Sequence, residues 1–124
     1  MAKILVIDNA PHILLIIKDK LEENGHRVIT LRQSTHALDI IKQEQPDLII
    51  LDWMMPEISG IELCKLLKSD ANTVEIPVFM LTGRGDIEDE QQGLRCGVEQ
   101  YITKPFSPRL LLNLVEKTIG KKSS

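Results

Sequence analysis

Several features that would mark a specialised protein are scarce or missing in this chain. It is 124 residues long and has two cysteines, Cys64 and Cys96, and three histidines, His12, His26 and His36. Neither set falls at a metal-ligand spacing, which argues against a zinc module. Both cysteines read as inert, buried helix residues in a reducing cytoplasm rather than as redox sensors. No apolar run approaches the length of a bilayer span. The first run, Ile4-Leu5-Val6-Ile7, stops at Asp8, so neither a membrane helix nor a signal peptide is expected. Positive charge is not in excess: 15 Lys plus Arg stand against 18 Asp plus Glu, a formal net charge of −3 that disfavours a nucleic-acid-binding surface. There is no internal repeat, low-complexity linker or domain boundary. What remains is an ordinary globular composition, 43% apolar and 27% charged. That length suits one domain able to bury roughly two-thirds of its unfolded surface.

The order of elements is written in the hydrophobic pattern. Ile4–Ile7, Leu48–Leu51 and Val78–Leu81 are short aliphatic runs without polar alternation, as strands buried on both faces of a parallel sheet read. Arg27–Leu31 and Gln100–Thr103 are weaker strand candidates. Between them the period becomes helical. Ile13, Leu14, Ile17 and Leu21 share one face of a helix from His12 to Asn24, stopped by Gly25. Ser34 is placed to cap a second helix carrying Ala37, Leu38, Ile40 and Ile41, which must end before Pro46. Ile61–Leu67 forms a third and Asp86–Arg95 a fourth, with acids near its N-terminus and Gly97 beyond its end. Ser107 and Pro108 open a last helix running to about Gly120, with residues 121–124 as a frayed tail. Five strands alternating with five helices predict an α/β three-layer sandwich built on a parallel sheet with right-handed crossovers.

In such sheets ligands bind beyond the carboxyl ends of the strands. Asp8 and Asn9 follow the first strand, Asp52 the third, Thr82 the fourth and Lys104 the fifth. Carboxylates, an amide, a hydroxyl and an ammonium along one sheet edge suit the handling of phosphate with a hard cation. A carboxylate attacks phosphorus only when its charge and that of the phosphoryl group are screened, so positioning and charge stabilisation carry such a transfer.

These residues fall into strings that resemble a known family: Ile4–Asn9, then Asp47–Pro56 with Gly60, then Leu81-Thr82-Gly83, then Tyr101–Phe106. In this order they resemble the receiver domain of two-component response regulators, and the resemblance covers essentially the whole chain. It implies a flavodoxin-like fold with strand order 2-1-3-4-5, a receiver spanning residues 1–120, and a cis Lys104-Pro105 bond. Asp52 matches the phosphoacceptor, which takes a phosphoryl group from a phosphohistidine of a sensor histidine kinase or histidine phosphotransfer protein with Mg²⁺. Asp8, Asn9, Asp52 and the backbone carbonyl of Met54 match the metal ligands. Thr82 matches the switch hydroxyl, Tyr101 the aromatic that moves with it, and Lys104 the phosphate-pairing lysine. The family resemblance further implies a signalling switch rather than an enzyme, acting on a downstream output domain or target. Met1 and the short tail set the expectation of a receiver at a protein's amino end with no output domain within this chain.

Asn9 departs from the family pattern, which has a second acid there. An amide oxygen still ligates a hard cation, but the site loses a full negative charge, so weaker Mg²⁺ binding is expected. Loss of that charge also relieves repulsion near Asp52, an opposite influence that favours the active-like state. The alternative function is a degenerate receiver that acts as a phosphate-independent interaction module. Met54 and Arg84 stand where the family tunes access of hydrolytic water, and their side chains set an expectation of slow autodephosphorylation. Leu15 and Ile16 point away from the apolar stripe of the first helix and are docking candidates for the phosphodonor. On the last helix, Leu112 and Ile119 fall off the stripe of Leu110, Leu111, Leu114 and Val115, which leaves a homodimer or output face open there. Two rivals fare worse. An aspartate-nucleophile phosphatase wants an acid where Met54 stands. A flavin-binding protein wants a glycine-rich phosphate cradle where Asp8-Asn9-Ala10-Pro11-His12 has none.

Overall fold

The computed structural model describes residues 2–55, 57–83 and 96–123. Pro56, Arg84 and the helix expected over Asp86–Arg95 lie outside the described residues. Among the described residues are five strands, β1 (Lys3–Ile7), β2 (Arg27–Leu31), β3 (Leu48–Asp52), β4 (Val78–Thr82) and β5 (Gln100–Thr103), and four helices, α1 (Pro11–Glu22), α2 (Ala37–Glu44), α3 (Gly60–Lys68) and α4 (Pro108–Ser123). All strand pairs are parallel, in the order β2-β1-β3-β4-β5. β3 and β4 are buried along their whole length, because helices cover both faces of the sheet.

The period of two along the strands divides the core in half. Ile4, Val6, Leu48, Ile50, Phe79 and Leu81 face α1 and α4, where Leu14, Ile17, Leu21, Leu111 and Val115 meet them. Leu5, Ile7, Ile49, Leu51, Val78 and Met80 face α2 and α3, against Ile41, Leu63 and Leu67. Each fully buried aliphatic chain contributes about 1.5–3 kcal/mol of transfer free energy. No described helix is long and apolar enough to cross a membrane.

Local rules fix most of the element ends. Gly25 closes α1 in the left-handed region, with φ of 86°. The Ser59 hydroxyl accepts the Glu62 N–H at the start of α3, and the Ser107 hydroxyl accepts the Leu110 N–H in the first turn of α4. Three expectations need correcting. Ser34 does not cap α2: His36 precedes that helix with φ of 66°, and the Ser34 hydroxyl turns instead to the β3–α3 loop. α4 continues to Ser123, past Gly120, which does not take the left-handed conformation that ends a helix. On α4, Leu112 is buried and Ile119 packs against the core, whereas Leu110 is the leucine left outside, 55% exposed.

Candidate functional site

Register alone brings the site together. Ile7 pairs with Leu51, so Asp8 and Asp52, the next residue of each chain segment, stand side by side at the carboxyl ends of β1 and β3. Asp52 pairs with Leu81, which puts Thr82 one residue further along β4. Thr82 in turn pairs with Thr103, the residue before Lys104. The Lys104 N–H donates to the Thr82 carbonyl at 2.6 Å, and the Lys104-Pro105 bond is cis.

The electrostatics turn on two carboxylates sharing one cation. Asp8 is completely buried. Its Oδ1 accepts the Ala10 N–H at 2.8 Å, and its Oδ2 accepts from Lys104 Nζ at 2.8 Å. The same Nζ lies 3.5 Å from Asp52 Oδ1, which also accepts the Met54 N–H at 3.3 Å. Asp52 is only 4% exposed. Burial holds its carboxyl above the ordinary carboxylate range and the charge of Asp8 adds to this, while Lys104 and the Met54 N–H pull it back. A buried acid perturbed by a second acid at a sheet edge is what a site handling charge looks like.

The oxygen donors suit a hard cation. Asp8 and Asp52 supply carboxylates within reach of one ammonium group, Asn9 is exposed beside Asp8 with an amide oxygen, and Met54 adds a backbone carbonyl two residues after Asp52. Mg²⁺ takes one or two carboxylates and keeps several waters, so this set fits it, with one acid fewer than Asp at position 9 would give. Among the described residues no group of three His, Cys, Asp or Glu side chains gathers as a metal site.

Thr82 is completely buried at the end of β4. Tyr101 is half-buried and meets buried Trp53 edge-on, with ring centroids 6.4 Å apart and planes at 74°. This pair couples the residue after Asp52 to β5. Met54, two residues after Asp52, is 59% exposed.

Gly60 has a role that sequence reasoning missed. A Cβ there would run into the Asp52 carbonyl oxygen and stand 2.8 Å from Met80 Sδ. Only glycine lets the first turn of α3 lie against the backbone of Asp52, where the Gly60 N–H donates to the Trp53 carbonyl at 3.0 Å. The signal was a glycine eight residues after an aspartate, unreadable without the packing.

Outside the site, α1 presents Leu15 and Ile16 to solvent, 58% and 42% exposed, while Leu14, Ile17 and Leu21 are buried. Cys64 is buried, its Sγ donating to the Cys96 carbonyl at 3.4 Å, and burial pushes its thiol up to about 11. Such a thiol is a poor nucleophile at neutral pH.

Comparison with known proteins agrees with this geometry. A family model described as the response regulator receiver domain matches residues 4–116. The phosphate regulon transcriptional regulatory protein PhoB of Pseudomonas aeruginosa is 45% identical over 109 residues, covering 88% of this chain and 48% of that protein. Among solved structures, the receiver domain of the Francisella response regulator 1452 is similar with a TM-score of 0.92 and 34% identity, covering 98% of this chain and 99% of that one. The BeF3-activated DrrB receiver domain is similar with a TM-score of 0.88 and 34% identity, covering 97% of this chain and 98% of that one. The chain spans about half the length of the curated relatives it matches. With the family model covering most of its length and the acids, threonine and lysine gathered at one sheet edge, this chain belongs to the response regulator receiver domains, the signalling switches of two-component systems.

Proposed function

We propose that Asp52 accepts a phosphoryl group from a phosphohistidine of a sensor histidine kinase or histidine phosphotransfer protein in the cytoplasm. The observation that carries this reading is the buried Asp52 carboxylate sharing Lys104 with Asp8. An Asp52 oxygen attacks phosphorus, the P–N bond to the donor imidazole breaks, and the imidazole leaves with the bonding pair. Burial and the charge of Asp8 raise the Asp52 pKa, which makes its carboxylate more basic, and so a better nucleophile, than a free aspartate. Held by Asp8, Asn9, Asp52 and the Met54 carbonyl, Mg²⁺ would screen the approaching negative charges. Lys104 then exchanges part of its contact with the carboxylates for a phosphoryl oxygen, and the Thr82 hydroxyl donates to another.

Movement of Thr82 and Tyr101 changes the surface around β5 and α4, and with it the preference for an output domain or target. Met54, exposed beside the acyl phosphate, and Arg84 slow the approach of water, so the domain dephosphorylates itself slowly. BeF3 activation of a receiver 34% identical to this chain supports the reading. Beryllofluoride with Mg²⁺ is therefore expected to change Trp53 fluorescence in the wild type and not in Asp52→Asn. A folded wild type that gives no such change would overturn the proposal. Asn9 favours one second reading, a phosphate-independent interaction module, and that outcome would support it.

A further inference from the structure

The stretch from Asp52 to Gly60 carries both the acceptor and the Met54 carbonyl, so what holds it in place matters to the reaction. Its two ends are fixed by backbone: the Trp53 N–H donates to the Leu81 carbonyl at 2.7 Å, and the Gly60 N–H returns to the Trp53 carbonyl. Its middle is held from across the sheet edge by Ser34, which lies between β2 and α2 and is 1% exposed. The Ser34 hydroxyl accepts the Ile58 N–H at 3.0 Å and donates to Glu57 Oε1 at 3.3 Å, and the Ser34 N–H donates to the same oxygen at 3.3 Å. The Ser34 carbonyl accepts the Ala37 N–H at 3.0 Å. Every polar group of this buried residue is therefore engaged, and three of its four hydrogen bonds go to the loop that follows Asp52.

We propose that Ser34 is a positioning residue of the phosphoryl site, clamping the β3–α3 loop through Glu57 and Ile58 so that the Met54 carbonyl faces the metal position. The inference rests on the reading of Met54 and Asp52 as cation ligands. Glu57 also shares an open recess with Asn9, Arg32 and Gln33, and this raises a competing role in which the Glu57 charge replaces the acid missing at position 9. The hydrogen bonds favour the clamp. Oε1 accepts twice from Ser34, which ties the carboxylate to the loop rather than to the position beside Asn9. The two roles separate cleanly, because a glutamine oxygen accepts the same two hydrogen bonds without the charge.

The test follows Mg²⁺ binding by Trp53 fluorescence in wild type, Ser34→Ala, Glu57→Ala and Glu57→Gln, each shown to be folded by circular dichroism at the temperature used. The clamp predicts Mg²⁺ dissociation constants raised about fivefold or more in Ser34→Ala and Glu57→Ala, the scale of one or two lost hydrogen bonds. Glu57→Gln should lie close to wild type. Hydrogen exchange without metal is the second readout: the Ile58 and Met54 amides should exchange faster in Ser34→Ala, while β1 amides do not change. Unchanged Mg²⁺ affinity in Ser34→Ala would overturn the clamp, as would a loss in Glu57→Gln as large as in Glu57→Ala. If wild type binds no Mg²⁺, the cation reading fails and exchange decides the clamp: faster exchange at Ile58 and Met54 supports it, and no change refutes it.

Discussion

Replacing Lys104 with methionine isolates the central electrostatic feature of the site. In the folded protein Asp8 and Asp52 are 0% and 4% exposed, and Lys104 Nζ lies within 4 Å of both. Methionine keeps an unbranched, flexible side chain of similar reach and removes the ammonium group, both its charge and its hydrogen bond to Asp8. Breaking a buried ion pair by deleting one partner costs about 3–5 kcal/mol, because the other charge stays buried. The Lys104 side chain is 22% exposed, so water screens part of the interaction and about 2–3 kcal/mol is the expected loss at neutral pH. For a domain of this size that lowers the midpoint of thermal unfolding by about 10 °C.

The dependence on pH gives a sharper signature. Lys104 lowers the raised pKa of Asp52, so its removal raises that pKa further. A carboxyl whose folded pKa lies above its unfolded value destabilises the fold when ionised. The penalty is full above the folded pKa, shrinks as pH falls through it, and is gone below the unfolded value of about 4. The gap between wild type and Lys104→Met should therefore be widest near neutral pH and close towards about pH 4. Adding Asp52→Asn to Lys104→Met removes one of the two stranded charges and should recover about 1 kcal/mol or more, a coupling read from a double-mutant cycle in urea. If Lys104→Met lies within about 0.5 kcal/mol of wild type at every pH, the shared-cation account is wrong.

Asn9→Asp returns a second acid beside Asp8 and should bind Mg²⁺ about tenfold more tightly in a fluorescence titration, the scale of one added carboxylate ligand. No gain would show that the amide already serves. Gly60→Ala places a methyl against the Asp52 carbonyl and Met80, and should cost about 1–3 kcal/mol in urea denaturation while also weakening response to beryllofluoride. Equal stability would mean that α3 is free to shift away from β3. Leu15→Ala and Ile16→Ala lie on the exposed face of α1, so stability should change by less than about 0.5 kcal/mol. Phosphotransfer from the cognate donor should nevertheless slow, and an unchanged rate would remove these residues from the docking surface.

How legible this structure was in the sequence depended on whether each feature was local. Buried parallel strands announce themselves as unbroken aliphatic runs, so β2 and β5 fall where expected and β1, β3 and β4 each extend one residue further. Once the strands are parallel, the residue that ends each one must lie on the same edge, which is why Asp8, Asp52, Thr82 and Lys104 were readable without coordinates. The α4 face was harder. Leu110, Leu111, Leu112, Leu114 and Val115 surround much of the helix, so the pattern left the phase of the buried stripe underdetermined, and packing on α1 and the sheet buried Leu112 instead of Leu110. Ser34 looked like a helix cap because serine two or three residues before an apolar-periodic run usually is one. Its actual partners, Glu57 and Ile58, are 23 and 24 residues away, beyond the reach of any local rule. Gly60 was visible as a motif residue, but its reason is a close approach to the Asp52 backbone that only the assembled α3 and β3 reveal.

The most direct test of the account is the intact mass of the protein after incubation with acetyl phosphate and Mg²⁺, beside Asp52→Asn treated identically. One phosphoryl increment is expected in the wild type, absent from the variant and absent when the metal is chelated. A folded wild type that gains no mass, or an increment that persists in Asp52→Asn, would contradict the assignment of Asp52 as the acceptor.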